Sequence, residues 1–149
     1  MDIEEEYDKI FRFCYFHIGN RTVAEDLTQE TFLRFLDSPY KEQGMRMHYL
    51  YVIARNLCIN EARKPKCDEL TENVISELSL ENDIEESLLI TETLEKLPED
   101  DRDLLIMRYM NDEPIGVIAE VKGLSRFAIY RRLKKAKEEF IKLMEGGTP

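Results

Sequence analysis

The chain holds 149 residues, 43% of them hydrophobic and 35% charged, with a formal net charge of −10. That composition fills one mid-sized core or two small ones under the wide charged surface of small helical domains. It carries no apolar run near the ~20 residues that cross a bilayer. The start MDIEEEYDK is acidic where a secretory leader is basic, so the expectation is a cytoplasmic protein without membrane insertion.

In chain order, YDKIFRFCYFHIGN places Tyr7, Phe11, Cys14 and Ile18 at helical spacing and stops at Gly19-Asn20. Asn20 or Thr22 is suited to cap the next helix, VAEDLTQETFLRFLDS, which ends before Pro39. One face of it, Ala24, Leu27, Thr31 and Phe35, turns to a core. The opposite face sets Leu33 among Asp26, Gln29 and Glu30, a leucine anchor with an acidic rim that suits a basic protein partner. A loop leads to MHYLYVIARNLCINEARK, which is apolar nearly all round, with Leu50, Ile53, Ala54 and Leu57 on one side and Val52 and Ile59 on the other. The exception is a narrow stripe of Tyr49, Asn56, Asn60 and Arg63. Asn amides read base edges, Tyr stacks and Arg holds phosphate, so the stripe suits unpaired nucleic acid, though any helix has a wet side.

From Pro65 to about Glu86 the chain turns acidic and loses periodicity, which reads as a linker with a nascent helical turn around Val74–Leu78. A second helical block follows: ESLLITETLEKL up to Pro98, EDDRDLLIMRYMND up to Pro114, IGVIAEVKG, and a long final helix. Ile129, Leu133, Ala136, Phe140 and Leu143 form the core stripe of that last helix. Strand alternation is absent from the sequence.

Charge follows these divisions. Residues 1–65 net −2, residues 66–101 net −11 and residues 102–149 net +3. The acidity is thus a property of the middle, and the last third is basic. Within it, GLSRFAIYRRLKKAK packs six Lys or Arg into one stretch with no acid until Glu138.

Ala119, Gly123 and Ile129 have the spacing of a helix-turn-helix: a small residue where the helices cross, a glycine for the left-handed turn, and a branched residue anchoring the second helix. Ser125 is placed to cap that helix. At about 100° per residue, the face opposite Ile129 carries Phe127, Arg131, Lys134 and Lys135, with Tyr130 on its flank. Together with Ser125 and Arg126 at the helix start, these are the residues expected to meet DNA in the major groove. The plainer reading is a solvated amphipathic helix, but a solvated face has no use for Phe127.

Other chemistry finds no support. Cys14, Cys58 and Cys67 form no C-x-x-C pair, which argues against a zinc knuckle or a disulfide framework; Cys14 and Cys58 read as core residues. His17 and His48 have no constellation of Cys, Asp or Glu around them, and no glycine-rich phosphate loop exists. No catalytic residue, metal or cofactor is expected.

Four segments in order, AEDLTQETFLRFL, YLYVIARNLCINEARK, LEKLPEDDRDLLIMRYM and IAEVKGLSRFAIYRRLKKAKEEF, resemble the regions of a bacterial RNA polymerase sigma factor. The nearest likeness is to the compact extracytoplasmic-function (ECF) group, which keeps only the second and fourth sigma regions. The resemblance implies an all-α protein of two small domains. Residues 1–65 would form a three- or four-helix bundle like region 2, residues 66–86 an acidic linker, and residues 87–149 a helix-turn-helix domain like region 4. It also implies core RNA polymerase, promoter DNA and an anti-sigma factor as partners. Asp26, Gln29 and Glu30 match the segment that docks on the clamp helices of the polymerase's largest subunit. Asn56 and Asn60 fall where the group faces the melted minus-ten strand, and the helix from Ser125 matches the one that reads the minus-thirty-five element. The chain departs from the pattern at Phe127 and Ala128, where Gly-Thr is frequent, and at Lys122, where an apolar residue is usual. Two functions stay open at this point. One is an initiation subunit that works through polymerase; the other is a stand-alone helix-turn-helix regulator whose first bundle dimerises or senses.

Overall fold

The computed structural model describes residues 3–39, 45–64 and 81–146, the side chains of 81–87 excepted, and every regular element among them is helical. The chain divides into two compact units, Met1–Glu77 and Leu78–Pro149. Cys67 and the nascent turn expected around Val74–Leu78 lie outside the described residues.

The first unit packs three helices, α1 (Ile3–Ile18), α2 (Arg21–Asp37) and α3 (Arg46–Ala62), each against the other two. Its core is Ile10, Phe13, Cys14, Ala24, Phe35, Leu50, Tyr51 and Ala54, with Phe13 meeting the Tyr51 ring edge-on at 5.3 Å. Each large side chain so buried contributes about 1.5–3 kcal/mol of transfer free energy. Gly19 takes φ +76° to end α1, donating its N–H to Tyr15 O at 2.7 Å. Asn20 rather than Thr22 then caps α2, its Oδ1 accepting from Val23 N at 3.0 Å.

Two expectations for this unit are corrected. The buried stripe of α1 is Glu6, Ile10, Phe13 and Cys14, while Tyr7, Phe11 and Ile18 are half-buried beside it. Tyr7 stacks on Phe32 of α2 at 5.8 Å, and Phe11 lies under the Arg21 guanidinium at 5.6 Å. A glutamate belongs to the core stripe because Arg46 of α3 grips it with two parallel bonds of 2.9 Å. These bonds hold the guanidinium's pKa above its ordinary value, and the same group covers the Phe35 ring at 5.0 Å. In α2, Thr28 takes the buried place expected of Leu27, which is half-buried; the Thr28 and Thr31 hydroxyls donate to Ala24 O and Leu27 O, each at 2.7 Å. Backbone carbonyls thereby satisfy two polar groups inside an apolar interface.

The second unit comprises α4 (Glu81–Glu95), α5 (Glu99–Leu105) with a π-helical turn at Ile106–Met110, α6 (Ile115–Lys122) and α7 (Arg126–Met144). The long α7 packs on α4, α5 and α6 and drives Ile129, Leu133 and Ala136 into a core with Leu94, Leu104, Ile106, Met107 and Ile118. Phe140 and Leu143, the end of the expected stripe, are half-buried. Helix α4 begins at Glu81, inside the stretch 66–86 that composition assigned to a linker. Acidic residues in a first turn favour a helix by opposing its positive dipole end, so an acid-rich sequence is no bar to one there. Arg102 of α5 reaches back to the end of α4, donating to Leu94 O at 3.0 Å and Leu97 O at 3.1 Å. The single helix expected over EDDRDLLIMRYMND is also modified. At Ile106 its bonding widens to the π pattern, and Asn111 N reaches Ile106 O at 3.1 Å. The chain leaves that turn through Asp112 at φ +52°, with Arg108 Nη1 bracing Glu113 O at 3.0 Å.

Candidate nucleic-acid interface

Helices α6 and α7 form the expected helix-turn-helix. Gly123 sits at φ +66°, ψ 33°, and Leu124 N and Gly123 N close back on Ala119 O at 3.0 Å and Glu120 O at 3.3 Å. That pair of bonds is the glycine-terminated helix stop, which ends α6 and redirects the chain within two residues. Ser125 Oγ then accepts from Ala128 N at 3.2 Å and starts α7. Ile118 and Ile129 are fully buried and Ala119 nearly so, as the crossing requires.

This anchoring rotates the other side of α7 outward. Ser125, Arg126, Phe127, Tyr130, Arg131, Lys134 and Lys135 are all exposed, and Phe127 is 80% exposed. Beside the helix start lies an open cleft of about 570 Å³, lined by Arg108, Gly116, Glu120, Arg126 and Tyr130. Gly116 leaves room for the Arg126 guanidinium: a Cβ there would stand 3.0 Å from Arg126 Nη2. Neither Arg108 nor this use of Gly116 was foreseeable from periodicity, since both depend on the turn geometry. A separate apolar cleft of about 230 Å³ lies between Leu94, Leu105, Tyr109, Phe140 and Ile141.

Lys122, the sequence's departure from an apolar position, has a partner. Its ammonium lies 2.7 Å from Asp103 Oδ2 and 3.0 Å from Asp100 Oδ1, with the Lys122 and Asp103 side chains 7% and 1% exposed. The pair ties the end of α6 to α5. It replaces a hydrophobic contact with a directional one that holds the helix-turn-helix on its support.

In the first unit, Asp26, Gln29 and Leu33 are exposed on α2, Leu33 at 61%, and Glu30 is half-buried. Leu36, one turn further, is exposed beside Leu33 and enlarges the apolar patch beyond the single leucine read from the sequence. Arg34 Nε bonds Glu30 Oε2 at 2.8 Å, so one acid of the rim is partly spoken for. On α3, Asn56, Asn60 and Arg63 are exposed and Tyr49 is half-buried, its ring edge-on to His48 at 4.9 Å. The spacing places all four along one outward strip, Arg63 forming the helix's C-cap. Cys14 and Cys58 are buried thiols, as expected, and no helix among the described residues is long and apolar enough to cross a membrane.

One helical unit thus carries an acidic, leucine-centred face, and the other a helix-turn-helix whose second helix is capped and basic. The comparisons give the particular family. Sigma-70 region 2 matches residues 3–66 and Sigma-70 region 4 matches residues 87–140. The chain is 28% identical to the ECF RNA polymerase sigma factor SigW of Bacillus subtilis (strain 168), over 92% of this chain and 84% of that protein. It is 24% identical to SigM of the same strain, also an ECF RNA polymerase sigma factor, over 99% and 98% of the two chains. It is 26% identical to the ECF RNA polymerase sigma factor BldN of Streptomyces coelicolor, over 82% of this chain and 51% of that protein. The chain belongs to the ECF sigma factors: it is a transcription initiation factor, not an enzyme, that binds core RNA polymerase and directs it to promoter DNA. The stand-alone regulator is not the favoured reading.

Proposed function

We propose that the three outward faces divide the work of initiation. Asp26, Gln29, Glu30 and Leu33 on α2 dock on core polymerase. Tyr49, Asn56, Asn60 and Arg63 on α3 hold the melted minus-ten strand. The face of α7 from Ser125 to Lys135 reads the minus-thirty-five element. The observation that carries this reading is the opposition of the two exposed faces: acids around Leu33 on α2, and only Lys and Arg around Phe127 on α7. Residues 66–101, net −11, oppose unassisted binding to DNA, so specificity appears only when polymerase supplies the attraction. The work is cytoplasmic, and by family resemblance an anti-sigma factor holds the protein inactive until a signal releases it.

Mixing the pure chain with core polymerase tests the whole. Co-elution and promoter-dependent transcripts are expected, with only weak duplex binding by the chain alone at physiological salt. Nanomolar, sequence-specific binding without polymerase would return the stand-alone regulator. For the α3 strip, Asn56→Ala and Asn60→Ala should each lower permanganate reactivity of the melted bases about fivefold or more, as losing a base-edge contact of ~1–3 kcal/mol does, with closed-complex binding little changed. Undiminished reactivity in both variants makes the strip a wet helix face.

A further inference from the structure

Phe127 stands in the first turn of α7, two residues after the Ser125 cap, and is the most exposed large apolar side chain among the described residues. Residues at the start of a recognition helix are those that meet base edges. Phenylalanine has neither donor nor acceptor, so it reads nothing by hydrogen bonding. The one large apolar feature that the major groove offers is the C5-methyl group of thymine. Around Phe127 the exposed side chains Arg126, Arg131, Lys134 and Lys135 supply the charge that seats a phosphate backbone, and Tyr130 lies one turn on. An exposed ring in a cationic surround costs solvation in the free protein and gains contact area only when a nucleic-acid groove closes over it.

We propose that Phe127 selects thymine at one position of the upstream promoter element by packing its ring on the C5-methyl group. The proposal rests on the reading of α7 as the minus-thirty-five helix and adds the base to it. Arg126 and Arg131 hold the helix in register; Phe127 rejects cytosine, which lacks the methyl group, and purines, whose major-groove edge is polar there.

The test uses holoenzyme reconstituted from the full chain and core polymerase, on a promoter selected from a library randomised over the upstream element. Each thymine of that element is replaced singly by uracil, which removes the methyl group and leaves the pairing edge intact. At one thymine, wild-type holoenzyme should lose about fourfold in affinity, the factor that burying one methyl group supplies. Phe127→Ala holoenzyme should bind the thymine and uracil promoters alike, and Phe127→Leu, which keeps an apolar side chain, should retain part of the discrimination. Circular dichroism of the variants controls for folding, which an exposed residue should not disturb. Equal wild-type binding to thymine and uracil at every position overturns the proposal, as does discrimination that persists in Phe127→Ala. An Arg131→Ala control separates this outcome from failure of the parent reading. It should lower promoter affinity about tenfold, within the range of one base contact. If Arg131→Ala loses affinity but uracil is tolerated, only the methyl contact is wrong. If neither variant nor uracil matters, α7 does not read the element and both readings fall.

Discussion

Helices α2 and α7 each have one apolar side chain more exposed than any other on the helix, and they set it among residues of opposite charge. Leu33, 61% exposed, has Asp26, Glu30 and Asp37 at helical spacing; Phe127, 80% exposed, has Arg126, Arg131 and Lys134. The apolar residue supplies contact area in both, and the ring around it chooses the sign of the partner. Inside, each unit holds a buried ion pair. The first buries Glu6, answered by Arg46; the second buries Asp103, answered by Lys122. The net charge of −10 describes neither surface. What a chain binds is written in the charge around its exposed anchors, and bulk charge sets only how strongly it binds without help.

The inner pairs give the largest expected effect. Asp103→Ala leaves Lys122 with only the exposed Asp100 carboxylate at 3.0 Å and should cost about 2–3 kcal/mol, less than an uncompensated buried charge would. Replacing both residues by apolar ones of similar size, Lys122→Met with Asp103→Leu, should restore most of that stability. Urea denaturation of the chain measures both. A loss under about 1 kcal/mol in the single variant would mean that the pair behaves as a solvated surface pair. The outer rings come next. Leu33→Asp keeps the bundle folded, because the side chain is exposed, and should weaken capture of core polymerase at least about thirtyfold, the effect of losing a central anchor of ~2 kcal/mol. Unchanged capture would reduce Leu33 to an ordinary surface leucine.

Where the sequence spoke clearly, the signal was local. Gly19-Asn20, Gly123 and Ser125 act through backbone angles and bonds within a few residues, and each stands where it was read. Two of the errors came from distance. Of the α1 stripe read from the sequence only Cys14 is buried; Glu6, which was passed over because its partner lies 40 residues away, joins Ile10 and Phe13 there. Lys122 looked like a flaw because Asp103 sits on another helix. Thr28 displaced Leu27 because a hydroxyl satisfied by its own helix counts as small and apolar, which a hydropathy pattern does not register. Exposure was easier to read than the core. An exposed residue needs no partner to be placed, and helical geometry alone turns Asn56, Leu33 and Phe127 outward.

The smallest effect concerns how the basic ring is held in shape. Gly116, the second residue of α6, leaves room for the Arg126 guanidinium, and an alanine Cβ would stand 3.0 Å from Nη2 and 3.6 Å from Cζ. That neighbour is the end of a flexible, exposed side chain, so it yields without disturbing the fold. Alanine also favours helix over glycine by up to about 1 kcal/mol, and less in a first turn. Gly116→Ala should therefore leave stability unchanged or slightly raised. The displaced guanidinium should cost holoenzyme about two- to threefold in affinity, on every promoter alike, because phosphate contacts do not distinguish sequence. Arg126→Ala should cost a similar factor and lower the salt slope by about one unit. If the glycine acts through the arginine, the double variant should lose no more than Arg126→Ala alone, a non-additivity that a double-mutant cycle resolves. Fully additive losses would show that Gly116 serves some other contact, and that the ring around Phe127 keeps its shape without it.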